Sequence, residues 1–479
     1  MCKYLGANLS TSESRFFFEH PVSKEPVFIF YDACHMIKLI RNTFGDKKLL
    51  YNDKNEEINW DYIKKLYDKE NNEGLKLATK LSRRHIFYFN EKMNVKLAAQ
   101  VMSNSVSNAL KCCDHLGYSS FKGSQGTAEF CGLVNNAFDI MNCRTKFSKN
   151  PYNLCLDINT INKYREFTEI FEKYIFNLKF QNGQRIIDSN RKTGFIGLVY
   201  GLKNLLNLYE YLNSKYGLNY LLSYKLSQDH IETFFSAVRM RGGHNNNPTC
   251  KQFFTAYKKL LVHNQATGSQ YGNCLAMLDP TELSVVNVGP DSITSQINET
   301  DEAIVVEHDH SYFQSLKRLS PLVENISEYI GGFVVKKTLK KINCAICQQS
   351  LYKTFTNNIL INLKDRNDAL IKPSRDVVDI CLIAERVFRS CDNIFKNNIK
   401  NSLFTKIKRH IYSSTKKIFQ ELDDHCLSQN LFNNHRDQLI ALIIYIYLDV
   451  RLHHAAKESN HNKIKLRQKL TKLILFRNE

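Results

Sequence analysis

The sequence predicts an α/β core that is interrupted by a long, mostly helical insertion and followed by a helical C-terminal region. Three observations lead to this prediction. The run VFIFY at 27–31 is followed by an acidic residue and an amphipathic helix, an order typical of α/β folds. Residues 55–205 have helical periodicity and no long strand pattern. Residues 319–479 are helical in pattern and rich in lysine and arginine.

The length and composition indicate a globular protein of several domains. A chain of 479 residues is long enough for about two to four domains. Its 43% hydrophobic content is that of a protein with buried cores. The 66 basic residues exceed the 47 acidic ones, and the net charge of +19 favours a polyanionic partner such as nucleic acid. The alternative is a basic protein without such a partner.

The cysteines and the N-terminal residues indicate reduced thiols and a nuclear or cytosolic location, and the apolar runs do not indicate a membrane span. Fourteen cysteines in a chain of this length are not the pattern of a disulfide scaffold. The N-terminal residues lack the charged and apolar regions of a secretion signal. The longest apolar run, LIALIIYIYL at 439–448, is about half a membrane span and predicts a buried helix. No membrane partner is therefore expected.

Asp32 is the first candidate site residue. The preceding run is predicted to be a buried central strand, because it is continuously apolar. A carboxylate at the carboxyl end of such a strand lies where α/β sheets bind ligands and place catalytic groups. The alternative is that Asp32 caps the helix that follows it.

The second acidic position lies in SQDHIETFFSAVRMRGG, residues 227–243. Ser227 is a possible N-cap, and Asp229 and Glu232 fall on one face of the predicted helix. Two like charges at this spacing repel each other unless a cation lies between them, and a magnesium ion would remove that cost. A chance pair of acids is the alternative. The opposite stripe is predicted to be buried, and it comprises Ile231, Phe234, Phe235 and Val238.

A third candidate is half of a zinc site. Cys344 and Cys347 form the pair CAIC, which supplies two of the four ligands of a tetrahedral site. His425, Cys426 or His435 could complete it from a distant segment. Two buried thiols without a metal are the alternative.

Several segments together resemble the P element transposase family, including its THAP-domain relatives. VFIFYDACHMIKLIRNTF resembles the stretch around the family's second catalytic aspartate. LSQDHIETFFSAVRMRGGHNNNPTCKQFFTAYKKLLVHN resembles the stretch around its catalytic glutamate. Further similar blocks are NVKLAAQVMSNSV, GTAEFCGLVNNAFDIMNCR, SNRKTGFIGL, YIGGFVVKKTLKKINCAIC and DALIKPSRDVVDICLIAERVFR. They cover most of the chain in the family's order.

The resemblance implies a specific chemistry. It implies an RNase H-like core that cuts and joins DNA with magnesium, and a helical GTP-binding domain inserted between the second aspartate and the glutamate. Asp32 would be that aspartate, Glu232 the glutamate and Asp229 an accessory acid. The arginines around the two acids would then contact DNA phosphates.

The nucleotide site is also implied by the resemblance. Asp139 and Asn142, in FDIMN, resemble an acid–amide pair that would read the guanine base of GTP. The chain has no GxxxxGK[ST] loop, so the residues alone do not predict phosphate binding. A capped amphipathic helix is the alternative at this position.

The predicted domains follow from the same resemblance. They are the N-terminal part of the RNase H-like core at 1–54, the GTP-binding insertion at 55–205, the C-terminal part of the core at 206–265, an acidic flexible linker at 266–318 and a basic helical domain at 319–479.

The chain departs from the family pattern before Asp32. Only 31 residues precede it and none is aspartate, so the family's first catalytic aspartate and its zinc-bearing THAP module have no counterpart here. We therefore expect a core that is incomplete on its N-terminal side, a truncated sequence, and no transposition by this chain alone. The alternatives are a non-catalytic DNA-binding protein or repressor and a GTP-binding interaction module. A homo-oligomer is compatible with each of them.

Overall fold

The computed structural model describes most of the chain. The described residues are 6, 17–241, 247–263, 318–366, 368–391, 399–413, 418–422 and 435–475, with side chains as far as 456. Nearly all of the predicted acidic linker, at 266–318, lies outside these residues. So do His425 and Cys426.

The described residues are predominantly helical. The helices α1 to α16 are Ala33–Lys47, Trp60–Glu73, Arg83–Ile86, Val95–Val101, Asn104–His115, Gln125–Met141, Ile161–Asn177, Thr193–Tyr216, Asp229–Arg241, Cys250–His263, Pro321–Leu339, Ala345–Gln349, Ile359–Lys364, Arg375–Arg389, Ile399–Ser413 and His435–Leu475. Short 3-10 turns are Tyr88–Glu91, Ser119–Phe121, Ile186–Asp188, Ser223–Leu226 and Gln420–Leu422.

The strands are short. The strands β1 to β9 are Phe17–Glu19, Pro26–Phe28, Leu49–Tyr51, Glu57–Asn59, Leu156–Asp157, Lys179–Phe180, Tyr220–Leu221, Tyr352–Lys353 and Lys372–Pro373. The pairs β1–β2, β3–β6, β5–β7 and β8–β9 are antiparallel, with Phe17 opposite Phe28 and Leu50 opposite Phe180.

The chain divides into two compact units. The first comprises 1–53, 87–102 and 133–315, and the second comprises 54–86, 103–132 and 316–479. In each unit, segments that are far apart in sequence are brought together.

The first unit is built around the packing of α1 against α8. Apolar residues at helical spacing on α1, including Ile37, Ile40 and Phe44, are fully buried. Two glycines let the helices approach closely. A Cβ on Gly197 would lie 2.2 Å from Met36 Sδ, and a Cβ on Gly194 would lie 2.7 Å from a side chain of α1. This contact fixes the position of α1, whose first turn carries a candidate site.

The prediction of a buried central strand at 27–31 is wrong. The strand ends at Phe28, its side chains are only half-buried, and its partner is the equally short β1. Phe28 packs beside Tyr211 of α8, with ring centroids 5.8 Å apart. The apolar side chains of this run are partly covered by α8 and by the two-stranded sheet of β1 and β2. Asn204 of α8 then donates a hydrogen bond of 2.7 Å to the carbonyl of Ile29 and fixes the segment that leads to Asp32.

The second unit has a helical core formed by α11, α14, α15 and α16. The predicted burial of 439–448 is confirmed, since Ile443, Ile444 and Tyr447 of α16 are fully buried. Residues His435–Ala456 are, among the described helices, the one span long and apolar enough to cross a membrane by length and composition. Less than half of an 18-residue stretch of this span is buried, and the buried residues at 439–448 belong to this cluster.

An ion pair lies inside this core. Glu385 of α14 accepts hydrogen bonds from Arg451 Nε at 2.7 Å and Nη2 at 3.0 Å. The hydroxyl of Tyr447 donates to the same carboxylate at 2.8 Å. Because the buried charge is paired and hydrogen-bonded on both oxygens, its desolvation is compensated.

Candidate functional site

Asp32 is held rigidly at the start of α1. Its carboxylate accepts hydrogen bonds from the backbone N–H of Cys34 at 3.3 Å and of His35 at 3.2 Å, so it is the N-cap of the helix. It also lies four residues after the end of β2. The side chain is buried, with 4% of its surface exposed. Capping therefore fixes the carboxylate at a helix N-terminus, where the helix dipole favours negative charge.

Glu232 and Asp229 are presented by the first turn of α9. Asp229 is buried, whereas the Glu232 side chain is 35% exposed. The predicted buried stripe of α9 is only partly correct. Ile231 is 55% exposed and Phe235 is 43% exposed. The reason is that α9 is covered mainly by one helix, α10, through a small cluster that comprises Ala237, Val238, Ala256 and Leu260.

His35 lies between the two acids. One of its ring nitrogens, Nδ1, is hydrogen-bonded to Asp32 Oδ2. The other, Nε2, lies 3.7 Å from Glu232 Oε1. The ligand atoms of Asp32, His35 and Glu232 all lie within 4.8 Å of one another. The sequence reasoning missed His35. Its signal was the spacing of one helical turn from an N-cap carboxylate, which places the ring on the same side as that carboxylate.

Asp229 lies beside this cluster and is paired with Arg144. Its Oδ2 is 3.2 Å from Arg144 Nη2. Burial raises the pKa of the Asp229 carboxyl, the nearby Asp32 carboxylate raises it further, and Arg144 opposes both effects. The sequence reasoning did not single out Arg144, which lies three residues after the end of α6.

The position of Arg144 is fixed by backbone contacts. The backbone N–H of Cys143 donates to the hydroxyl of Ser223 at 3.0 Å, and the N–H of Tyr224 donates to the carbonyl of Cys143 at 3.1 Å. The end of α6 is thereby attached to the turn that precedes α9. Arg144 and Asp229 consequently meet although they are distant in sequence.

The cluster fits a divalent cation. In the tautomer whose Nδ1 carries the proton, Nδ1 donates to Asp32 and Nε2 presents a lone pair towards the carboxylate of Glu232. A separation of 3.7 Å is longer than a hydrogen bond, but both atoms can reach one cation with bonds of about 2.1 Å. Two carboxylates that are held by different helices are the oxygen ligands that magnesium uses.

Asp139 and Asn142 are close, but they are engaged differently. Asp139 Oδ2 accepts hydrogen bonds of 2.7 Å from Asn135 and 2.7 Å from Asn150. The Oδ1 atom of Asn142 is buried and has no hydrogen-bond partner among the described residues. Asp139 therefore organises the turn after α6, and the buried Asn142 oxygen is an acceptor for which a ligand donor would be suitable.

The cysteine pair is brought to a histidine. Cys344 is the N-cap of α12, Cys347 lies inside that helix, and His435 is the first residue of α16. Their ligand atoms lie within 4.8 Å of one another. A hydrogen bond from the backbone N–H of Cys347 lowers the pKa of the Cys344 thiol.

Comparison with protein-family models defines the class of the protein. Residues 34–154 match the TNP-like GTP-binding insertion domain, and 224–258 match the TNP-like RNase H C-terminal domain. Residues 318–457 match the C-terminal domain of the DNA transposase THAP9. The chain is therefore a transposase-derived protein with a GTP-binding insertion domain of this type.

Curated relatives identify the family. The chain is 28% identical over 435 residues to the Transposable element P transposase of Drosophila melanogaster, with 84% of this chain and 52% of that protein covered. It is 26% identical over 486 residues to the DNA transposase THAP9 of Homo sapiens, with 95% and 52% covered. The chain belongs to the P element and THAP9 transposase family, which confirms the resemblance read from the sequence. It spans about half the length of these relatives.

A solved structure is also similar to this chain. The Drosophila P element transposase strand transfer complex matches with a TM-score of 0.45 and 26% sequence identity. The match covers 55% of this chain and 57% of that one.

Proposed function

We propose that this chain holds a divalent cation, magnesium, between Asp32 and Glu232 and presents it to the phosphate backbone of DNA. The observation that carries the proposal is the meeting of these two acids, distant in sequence, around the ring of His35. When bound, the ion would neutralise charge on the attacking and leaving oxygens of a phosphodiester. In this proposal the two carboxylates belong to an RNase H-like catalytic core.

Each acidic residue of the site has a defined role in this proposal. The N-cap hydrogen bonds orient the Asp32 carboxylate before any ion arrives, so little ordering is needed on binding. Glu232 is more exposed and lies on the solvent side of the site. Asp229 acts as an accessory acid, because its carboxylate is already paired with Arg144.

DNA would approach along α9. Arg239 and Arg241 lie on the same helix as Glu232, in its last turn, and neither is buried. The net charge of +19 favours a polyanion. Sequence-independent phosphate contacts of this kind weaken steeply with salt. A protein that acts on chromosomal DNA is expected in the nucleus, and a fluorescent fusion would test that location.

Cation binding tests the proposal directly. Calorimetry with Mg²⁺, and paramagnetic resonance with Mn²⁺ as a spectroscopic substitute, would measure affinity in the wild type, Asp32→Asn and Glu232→Gln. We expect both variants to bind at least tenfold more weakly. Glu210→Gln is a matched control, since Glu210 is a half-exposed glutamate of the same unit that pairs with Arg165. Equal affinities in all four proteins would contradict the proposal.

The proposal for DNA strand transfer differs from the proposal for cation binding. Among the described residues, two carboxylates and one imidazole meet at the cluster, whereas the family's chemistry is implied to use three acids. We therefore propose that this chain alone binds cation and DNA without joining DNA ends. An end-joining assay with Mg²⁺ and GTP tests this, and activity abolished by Glu232→Ala would refute it. Salt-sensitive DNA binding without cation binding would instead favour the non-catalytic DNA-binding protein or repressor.

We also propose that Asp139 and Asn142 contact the guanine base of GTP. Support comes from the family of the insertion domain and from the buried oxygen of Asn142, which has no hydrogen-bond partner within the part of the chain that the structure describes. Titration with a fluorescent GTP analogue should show weaker binding in Asn142→Ala and Asp139→Ala. Asn150→Ala is the control, because it removes one hydrogen bond to Asp139 and keeps the carboxylate. If all three variants lose binding equally, the pair has only a structural role.

A further inference from the structure

The second unit contains a cluster of soft metal ligands outside the acidic site. Cys344 and Cys347 come from α12 and from its N-cap, and His435 begins α16. Cys347 is buried, and the other two side chains are half-buried. Cys347 Sγ lies 3.8 Å from His435 Nδ1, and neither cysteine is in a disulfide. The two segments are therefore brought together by atoms that commonly bind one metal.

The chemistry of these atoms selects zinc. Two thiolates at C-x-x-C spacing with one imidazole are a soft ligand set, which binds zinc in preference to magnesium or calcium. In a tetrahedral zinc site, bonds of about 2.3 Å to sulfur and about 2.0 Å to nitrogen place the two ligand atoms about 3.5 Å apart. The observed 3.8 Å is close to that separation.

The surroundings are already ordered for such an ion. Cys347 and Leu351 belong to the main apolar cluster of the unit, and Cys344 packs against it. Gln348 donates a side-chain hydrogen bond of 2.8 Å to the carbonyl of Ile342, which fixes the loop before Cys344. Supporting contacts of this kind hold metal ligands in place.

We infer that Cys344, Cys347 and His435 are ligands of a structural zinc ion that fastens the start of α16 to α12. The ion would order the beginning of a helix whose later turns, with Ile443 and Tyr447, fill the core of the unit. This site is independent of the acidic cluster, and its role does not depend on DNA cleavage or on GTP.

Metal analysis of the intact chain tests the inference. The protein is produced in zinc-replete medium without a histidine tag, and its metal content is measured by mass spectrometry. We expect one zinc per chain, lost in Cys347→Ser and in His435→Asn. Cys391→Ser is the control, because Cys391 is a half-buried cysteine of the same unit that is in no disulfide. Zinc absent from the wild type, or fully retained by both ligand variants, would overturn the inference.

A conservative variant keeps the inference testable if Cys347→Ser and His435→Asn fold poorly. His435→Cys replaces one zinc ligand with another, so it should retain zinc. X-ray absorption should show sulfur neighbours at about 2.3 Å in both proteins and one more of them in the variant. Chelation should lower the melting temperature of the wild type and of Cys391→Ser. An unchanged sulfur count in His435→Cys would contradict a direct bond between His435 and the metal.

Discussion

The Nε2 atom of His35 lies 3.7 Å from Glu232 Oε1, while Nδ1 of the same ring is bonded to Asp32. The ring thus joins an acid of α1 to an acid of α9. The ligand atoms of the imidazole and of the two carboxylates all lie within 4.8 Å of one another, as the ligands of one cation would. The imidazole is therefore part of the candidate cation site.

Replacing His35 should weaken cation binding. His35→Asn removes the ring and its bond to Asp32, and the loss of such a supporting contact typically costs about 10- to 100-fold in metal affinity. Mn²⁺ titration would measure the change. His115→Asn, at an exposed position, should bind as the wild type does. An unchanged affinity in His35→Asn, alongside a loss in Asp32→Asn, would remove His35 from the site.

Removing Arg144 should destabilise the first unit. Arg144→Met leaves the buried Asp229 carboxylate without its ion-pair partner, at a cost of about 1–3 kcal/mol. The double variant Arg144→Met with Asp229→Asn should recover most of that loss, because no buried charge remains. Urea unfolding of the two variants and the wild type measures the free energies. If the double variant is as unstable as Arg144→Met, lost packing is the cause.

The buried Glu70 should make stability depend on pH. Its Oε1 accepts the N–H of Ala78 at 2.6 Å, its Oε2 has no hydrogen-bond partner among the described residues, and burial raises its pKa to about 8. Since the folded pKa is above the unfolded one, the folded state binds the proton more tightly. The free energy of unfolding therefore falls as pH rises from about 5 to about 8, by at most about 5 kcal/mol.

Glu70→Gln should remove this slope, because the amide keeps an acceptor for Ala78 and does not ionise. Unfolding in urea at pH 5.5 and pH 8 would be compared for the wild type and the variant. Asp61→Asn, at an exposed position of the same helix, should keep the slope of the wild type. A slope that persists in Glu70→Gln would assign the pH dependence to another group.

The two glycines of α8 should differ in their tolerance of alanine. At Gly197 the colliding atom is Met36 Sδ, on a flexible side chain, whereas at Gly194 it is the Cβ of Leu39, with the carbonyl oxygen of Met36 3.0 Å away. Overpacking typically costs about 1–3 kcal/mol, and we expect Gly194→Ala to cost more than Gly197→Ala. Thermal unfolding would rank them. If Gly197→Ala is the more destabilising variant, α1 as a whole helix must shift readily.

The acids of the candidate site could be predicted from the sequence, but the residues that connect them could not. Asp32 and Glu232 were identified by resemblance, and the structure brings them together. His35 and Arg144 depend on which helix faces meet and on where the end of α6 is attached. Both are outcomes of tertiary packing, which no local pattern reports.

Two errors have the same origin. The run at 27–31 and the stripe on α9 were predicted to be buried because they are apolar. Burial also requires an element to pack against, and within the described residues β2 has one short partner strand and α9 has one helix as its main cover. The apolar run of α16, in contrast, meets three other helices, and its burial was predicted correctly.

The close approach of Met36 and Gly197 restricts which substitutions this protein can accumulate during evolution. A side chain gained at 197 must displace the Met36 side chain, so it favours a smaller neighbour at 36, and the intermediate with only the first change would be less stable than the exchanged pair. The two positions are therefore expected to change together more often than position 197 changes alone. Met36 lies one residue beyond His35, so drift in the scaffold would be coupled to the geometry of the acidic cluster.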